Sequence, residues 1–142
     1  MEFAKIEKEV FNVMCNVARR VTAEILSEMD RYIFVQRDKK MFRSKGKRKT
    51  HIKTVYGEIQ YNREMYIDNS GKARYLLDEM LEMKTNGYYS SNYMEKIVNA
   101  ITEKSYREAA YQLKIATGNV ISHTSIYDID RCDKIKRSET IR

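Results

Sequence analysis

Apolar side chains recur at spacings of three and four from Phe3 to Tyr32, which is the period of one face of an α-helix. Neither glycine nor proline interrupts residues 3–36, so the pattern predicts one helix, about 50 Å long. A helix of that length exceeds what a compact domain needs, so its stripe can pack along the protein or pair with a second copy. We expect packing within the protein together with self-association. The stripe consists of Phe3, Ile6, Val10, Val13, Val17, Val21, Ile25, Met29 and Tyr32.

The period changes to two between residues 51 and 78, which is typical of β-strands. Alternating β-branched and aromatic side chains run up to Gly57 and resume after it, so we predict a hairpin with its turn near Gly57-Glu58. A second turn at 69–72 leads into a third strand at 74–77. Three strands need a helix over one face, and the first helix is the obvious cover.

One charged residue interrupts the apolar face of the second predicted strand. Arg63 stands where the alternation calls for an apolar side chain. A charge at such a position either reaches solvent or pairs with an opposite charge, because an unpaired buried charge is strongly unfavourable. A carboxylate such as Asp78 is the candidate partner.

Residues 91–131 carry the pattern of a trihelical unit that contains a helix-turn-helix. The first helix is predicted from Asn92 to Glu103, and Ser105 and Glu108 have the spacing of a capping box at the start of the second helix. The predicted inward faces of these two helices consist of Tyr93, Ile97, Ala100, Ile101, Ala109, Ala110, Leu113 and Ala116.

A turn at 117–119 separates the second of these helices from the third. Gly118 or Asn119 can adopt the left-handed conformation that ends a helix, and Ser122 is expected to cap the next one. The pattern directs Val120, Ile121, Ile126 and Ile129 into the core and leaves His123, Thr124, Tyr127 and Asp128 facing outward.

These patterns together predict an α+β fold with a long N-terminal helix, a small antiparallel β-meander and a C-terminal helix-turn-helix (trihelical) unit. The predicted organisation is a long helix at 1–36, a basic arm at 37–53, a small antiparallel sheet with a connecting loop at 54–90, the helix-turn-helix unit at 91–131 and a charged tail at 132–142.

The formal net charge of +7 is unevenly distributed. The basic arm, residues 37–53, carries nine basic and one acidic side chain, and residues 104–142 carry eight basic and five acidic ones. Two such regions suit a nucleic-acid backbone. A solvated linker is the alternative, and we favour phosphate contact because nine basic residues among seventeen is denser than in an ordinary surface loop. The candidate phosphate-binding residues are Arg37, Lys39, Lys40, Arg43, Lys45, Lys47, Arg48, Lys49 and Lys53.

The start of the third helix supplies the candidates for reading DNA bases. In helix-turn-helix proteins, N-terminal residues of the second helix of the motif reach base edges in the major groove. An ordinary helical hairpin with a solvated polar face would show the same pattern, and the charge distribution favours DNA binding. The candidate base-edge residues are Ser122, His123, Thr124 and Tyr127.

The remaining reactive residues indicate neither catalysis nor a cofactor. Cys15 and Cys132 lie far apart and near neither histidine, so a zinc site within one chain has no support. Asp128, Asp130 and Asp133 do not share one helix face, and solvated acidic residues are the better interpretation. Charges interrupt the N-terminal segment every few residues, which argues against a signal peptide or membrane span. We expect a cytoplasmic protein with no catalytic residues, metal site or cofactor.

Residues 52–66 resemble a family signature. They read IKTxxGExxYxRxxY, which occurs in an uncharacterised protein family similar to ISLre-type insertion-sequence transposases. The segments YLLD at 75–78, SYREAA at 105–110 and ISHTSI at 121–126 follow in the order that this family would show, and the resemblance covers about residues 35–127. It implies the N-terminal, DNA-recognising part of a transposase whose catalytic carboxylates lie downstream.

The chain departs from that family after Tyr127, where the family would continue into a catalytic domain. We therefore interpret it as a truncated, DNA-binding remnant of a transposase-like protein that is non-catalytic on its own. DNA is the expected partner, and a second copy is expected to bind through the N-terminal helix. The alternatives are a small nucleic-acid-binding regulator, of DNA or RNA, and a purely oligomerising interaction protein.

Overall fold

The computed structural model describes residues 2–83, 88–101 and 105–140. The chain divides into two compact units, one of Met1–Ile52 with Ile59–Tyr88 and one of Lys53–Glu58 with Tyr89–Arg142. The described residues form five helices and three strands, which confirms the predicted α+β class. In chain order the elements are α1 Phe3–Gln36, β1 Arg43–Thr54, β2 Gly57–Ile67, β3 Ala73–Arg74, α2 Leu76–Met80, α3 Ser91–Ile101, α4 Tyr106–Thr117 and α5 His123–Thr140.

Helix α1 packs on the first unit through the C-terminal half of the helix. Leu26 and Asp30 are its buried residues, and it contacts α2. The apolar stripe from Phe3 to Val21 is exposed. The expectation that this stripe packs within the protein was therefore wrong, because the helix face that carries Leu26 is the one that covers the sheet.

The sheet has the strand order β1-β2-β3, so β1 lies at an edge. Strand β1 begins at Arg43, so it includes residues 43–50 of the basic arm, for which the sequence did not predict a strand. Strand β3 is only two residues long and pairs antiparallel with β2, Tyr66 opposite Arg74 and Ile67 opposite Ala73. The predicted third strand at 74–77 was therefore too long. The chain turns into helix α2 after the short strand, and Leu77 is completely buried as part of that helix.

The burial pattern of β2 changes phase within the strand. Ile59 and Tyr61 are buried at odd-numbered positions, whereas Glu64 and Tyr66 are buried at even-numbered ones. An extra residue in a strand, as in a β-bulge, produces such a change. Arg63 lies at this point, and its guanidinium pairs with the Asp78 carboxylate, which is one of the two arrangements expected from the sequence.

The second unit is built around three mutually packed helices, α3, α4 and α5. Gly118 ends α4 in the left-handed conformation with φ 71°, as predicted for this turn. Val120 is 66% exposed and Ala116 is exposed, so both were wrongly assigned to the core. The core that forms consists of Tyr93, Ile97, Ala109, Leu113, Ile121 and Ile126.

Helix α5 extends through the segment predicted to be a charged tail. Its described part runs to Thr140, and residues 141–142 of that prediction lie outside the described residues. Ion pairs one turn apart, Asp130 with Lys134 and Asp133 with Arg137, stabilise the added turns. Oppositely charged residues four apart therefore continue the helix where composition alone suggested a tail.

The tip of the β1–β2 hairpin belongs to the second unit. The buried Asn119 side-chain amide donates to the Thr54 carbonyl at 2.6 Å. The Ser90 backbone N–H donates to the Lys53 carbonyl at 2.9 Å. Asn119 directly follows the left-handed residue that ends α4. Its hydrogen bond to Thr54 therefore attaches the turn of the helix-turn-helix to the hairpin tip within this unit.

Candidate nucleic-acid interface

The start of helix α5 is fixed by a side-chain cap. The Ser122 hydroxyl accepts the Ser125 backbone N–H at 3.1 Å and lies 2.8 Å from the Ser125 hydroxyl. Ser122 was a candidate for base contact, and the structure uses its hydroxyl to satisfy the helix terminus. The cap orients the residues that follow it, so the role of Ser122 is to position them.

His123, Thr124 and Tyr127 form the exposed face of the first turns of α5. The sequence predicted their outward direction, and the structure confirms it. Behind them, Ile126 is completely buried and Ile129 packs against the core. The buried side therefore fixes the helix rotation that presents these three residues to solvent.

Tyr127 is held by a second aromatic ring. Its ring meets the edge of Tyr106 at 5.6 Å between centroids and 89° between planes, and Tyr127 remains 47% exposed. The Tyr106 hydroxyl donates to the Asp130 carboxylate at 3.0 Å. A hydrogen bond from Lys134, the largest cause, together with that of Tyr106, lowers the pKa of Asp130. This network restricts the Tyr127 ring.

Arg131 extends the exposed face and was missed by the sequence interpretation. It is exposed on α5 and lies four residues after Tyr127. Thr124, Tyr127 and Arg131 are spaced by three and four, so they share one side of a helix. The signal was present in this spacing, but the candidates for base contact were taken from the first turns of the helix and ended at Tyr127.

The basic arm has seven exposed cations and two that are engaged within the protein. The Arg37 guanidinium donates to the carbonyls of Phe42, at 3.2 Å, and of Phe34, and it stacks over the Phe34 ring. The Lys53 ammonium donates to the Val120 carbonyl at 2.6 Å. Both residues were phosphate candidates, and the structure gives both a structural role. The exposed residues are Lys39, Lys40, Arg43, Lys45, Lys47, Arg48 and Lys49.

The position of β1 at the sheet edge gives its charges a second physical effect. An edge strand exposes backbone donors and acceptors that other chains can pair with, and lysines on the strand oppose such pairing. Lys45, Lys47 and Lys49 lie on this strand. The same side chains can therefore contact phosphate and keep the edge from pairing with other strands. The cations on β1 up to Lys49 and the exposed face of α5 belong to different compact units.

Two acidic residues of α5 form ion pairs with basic residues one turn later. Asp130 pairs with Lys134 at 2.7 Å, and Asp133 pairs with Arg137 at 2.9 Å. Within residues 2–83, 88–101 and 105–140, no group of three or more His, Cys, Asp or Glu side chains is arranged to hold a metal ion. In the same ranges, no helix has the length and apolar character needed to cross a membrane.

Comparisons with known proteins place the chain in a family. The model of an uncharacterised protein family, UPF0236, matches residues 1–137. A curated relative from Streptococcus gallolyticus, named "UPF0236 protein in vanSb 3'region", is 24% identical over 141 residues, which is 96% of this chain and 31% of the relative. The chain thus spans about a third of that relative's length. No solved structure matches. The chain belongs to the uncharacterised protein family UPF0236.

Proposed function

We propose that this chain is a DNA-binding segment of a transposase-like protein, with α5 as its recognition helix. The observation that carries the proposal is the exposed side of α5, where Thr124, Tyr127 and Arg131 follow a capped turn. A major groove about 12 Å wide admits an α-helix. Polar, aromatic and guanidinium groups on the first turns of such a helix are suited to base edges and nearby phosphates.

The seven exposed cations of the basic arm are a second, separate DNA-contacting surface in this proposal. Their positive charges can bind the phosphates of DNA of any sequence. Such contacts raise affinity for any duplex and set the register, whereas groups on a recognition helix discriminate among sequences. The transposase-like part of the proposal rests on the four sequence segments between residues 52 and 126. No chemical step is assigned to the described residues, and the proposed location is the cytoplasm.

A binding titration tests this proposal. We expect fluorescence anisotropy to show tighter binding to duplex DNA from the ends of the encoding element than to scrambled duplex, with an affinity that falls as salt rises. Arg131→Gln should weaken duplex binding by roughly tenfold or more. The matched control, Lys96→Gln, also removes one exposed cation but lies on α3, and it should have a smaller effect.

Two results would contradict the proposal. Equal effects of Arg131→Gln and Lys96→Gln would remove α5 from the interface. Binding that does not change between low and high salt would exclude a phosphate-dominated interaction. Tighter binding to RNA than to either duplex would instead favour the nucleic-acid-binding regulator.

A second candidate function is self-association through α1, either together with DNA binding or alone. The exposed stripe of this helix favours it, since Phe3, Val10 and Val17 lie in solvent in a single chain. A homodimer would suit a helix-turn-helix protein, because such proteins commonly bind paired half-sites. Self-association without salt-dependent nucleic-acid binding would identify a purely oligomerising protein.

A further inference from the structure

We infer that α1 binds α1 of a second copy in an antiparallel orientation, with Val10 and Val13 at the centre of the contact. The inference rests on the homodimer proposed above and is independent of DNA binding. Two sides of this helix differ, because one covers the sheet of the same chain and the other is exposed.

The exposed stripe and the buried residues lie on opposite sides of α1. At 100° per residue, Leu26 is about 140–180° around the helix from each stripe residue between Phe3 and Val17. Leu26 is buried, whereas these stripe residues are 42–76% exposed. The stripe is therefore a second apolar side and not an extension of the side that covers the sheet. The residues concerned are Phe3, Ile6, Val10, Val13 and Val17.

The spacing of the stripe identifies another helix as the surface that covers it. From Phe3 to Val17 the intervals are three, four, three and four, which is the repeat of a coiled coil. When the positions of this seven-residue repeat are labelled a to g, Phe3, Val10 and Val17 occupy position a. A second copy of the chain presents the same repeat, so a two-fold contact makes each stripe the partner of the other.

Charge selects the antiparallel orientation. A parallel pair would place Arg20, the next d position, against the same arginine of the second chain, and Glu2 at g against Glu7 at e. An antiparallel pair instead sets Arg20 against Phe3, where a guanidinium can lie over an aromatic ring with Glu2 beside it.

The antiparallel register also pairs the aliphatic side chains throughout. Ile6 then meets Val17 of the second copy, and Val10 meets Val13. Reversing the two copies gives the same pairs, as a two-fold axis requires. Every layer between the two Phe3–Arg20 ends is aliphatic, so the contact has an apolar centre and a charged residue only at each end.

Disulfide trapping tests the orientation. In a background of Cys15→Ser and Cys132→Ser, Phe3→Cys and Arg20→Cys chains are mixed at equal concentration and oxidised. The antiparallel contact brings these two positions within disulfide reach, so we expect the mixed disulfide and little of the Phe3→Cys homodimer. A dominant Phe3→Cys homodimer would overturn the orientation while leaving the dimer intact.

Sedimentation tests the contact itself. Val10→Glu/Val13→Glu should raise the dimer dissociation constant by about a hundredfold, because it buries like charges at the centre of the contact. The control Lys8→Gln/Asn12→Glu changes charge equally on another side of the helix and should leave the constant nearly unchanged. Circular dichroism checks that both variants fold.

A monomer at all accessible concentrations, or equal effects of the two double variants, would overturn the inference. DNA affinity is measured separately by anisotropy. Loss of DNA binding with the trapped antiparallel dimer retained would reject the DNA-binding proposal alone, and a monomer that still binds DNA would reject this inference alone.

Discussion

The Asp30 carboxylate of α1 accepts the backbone N–H of Glu64 with both oxygens, at 3.0 and 3.2 Å. Asp30 is 2% exposed, and Glu64 lies where the burial pattern of β2 changes phase. Helix α1 therefore supplies the acceptor for a backbone donor of the strand that it covers. This bond joins the long helix to the part of β2 where the burial pattern changes.

Removing that acceptor should destabilise the first unit. We expect Asp30→Ala to lower the free energy of unfolding by about 1–3 kcal/mol, because the buried Glu64 N–H loses its partner. Urea unfolding followed by circular dichroism measures the change. Glu24→Ala, an exposed substitution on the same helix, is the control and should change stability by less than about 0.5 kcal/mol.

Asp30 and Asp68 should give stability opposite dependences on pH. Burial raises the pKa of Asp30 above 3.8, although the Glu64 N–H opposes it. The contribution of Asp30 to the free energy of unfolding is therefore complete below the pKa of the unfolded state. It is lost as the pH rises through the higher pKa of the folded state. For Asp68, a hydrogen bond from the Ser70 hydroxyl, with others from nearby groups, lowers the pKa to about 2. Its contribution is present above 3.8 and is lost as pH falls towards about 2.

Unfolding measured across acidic pH separates the two groups. We expect Asp30→Asn to reduce the loss of stability as pH rises above 3.8. Asp68→Asn should reduce the loss as pH falls below 3.8. If both variants altered the same side of the profile, the environment assigned to one of the carboxylates would be wrong.

The Arg63–Asp78 pair should show strong coupling. The two side chains are 20% and 10% exposed, and the guanidinium lies 4.0 Å from the centre of the Tyr75 ring. Arg63→Met alone should cost roughly 3–5 kcal/mol, since it leaves the Asp78 carboxylate buried without its partner. Arg63→Met/Asp78→Leu should cost less than the sum of the single substitutions, and a double-mutant cycle by urea unfolding measures the coupling. Additive effects would contradict a direct pair.

Residues such as Arg63 show why some of the structure could be predicted from sequence. A charge on an apolar strand face needs a partner, and Asp78 is a carboxylate within reach of that face. The Gly118 turn and the Ser122 cap were predictable for a similar reason, because each depends on one residue's own conformational or hydrogen-bonding preference. The buried position of Ile126 followed from helical spacing.

Other features depend on contacts that leave no local signal. In sequence, the buried Asp30 cannot be distinguished from a solvated acidic residue of a helix, because its burial depends on strand β2 lying beside it. The part of strand β1 before residue 51 was not predicted because most of its side chains are charged, whereas edge strands are formed by backbone pairing and tolerate lysine. Val120 and Ile121 were both assigned to the core because they are apolar and follow the turn, yet of these two only Ile121 is buried.

Val17→Glu should affect self-association and leave folding nearly unchanged. Val17 is 55% exposed in the single chain, so a charge there adds no buried ion to the fold. In the proposed contact it faces Ile6 of the second copy, and a charge would oppose association. Sedimentation should show a weaker dimer, while urea unfolding at concentrations where the chain is monomeric should match the wild type within about 0.5 kcal/mol. A large loss of monomer stability would show that the stripe packs within the chain.

The two proposed DNA-contacting sets should divide affinity and specificity between them. Lys47, Arg48 and Lys49 are exposed on an edge strand, and phosphate contacts are indifferent to sequence. Replacing all three with Ala should weaken binding to every duplex by similar factors and reduce the salt slope by about 0.9 for each phosphate that is no longer neutralised.

His123 and Thr124 should carry sequence preference instead, because they lie on the capped first turn of α5. Replacing both with Ala should narrow the gap between element-end and scrambled duplex, with little change for the scrambled one. The measurement is a pair of titrations over several salt concentrations, and Asn92→Ala on α3 is the control for an exposed polar loss outside α5. If the strand variant lost specificity and the α5 variant kept it, the helix-turn-helix would be structural and β1 would read the DNA.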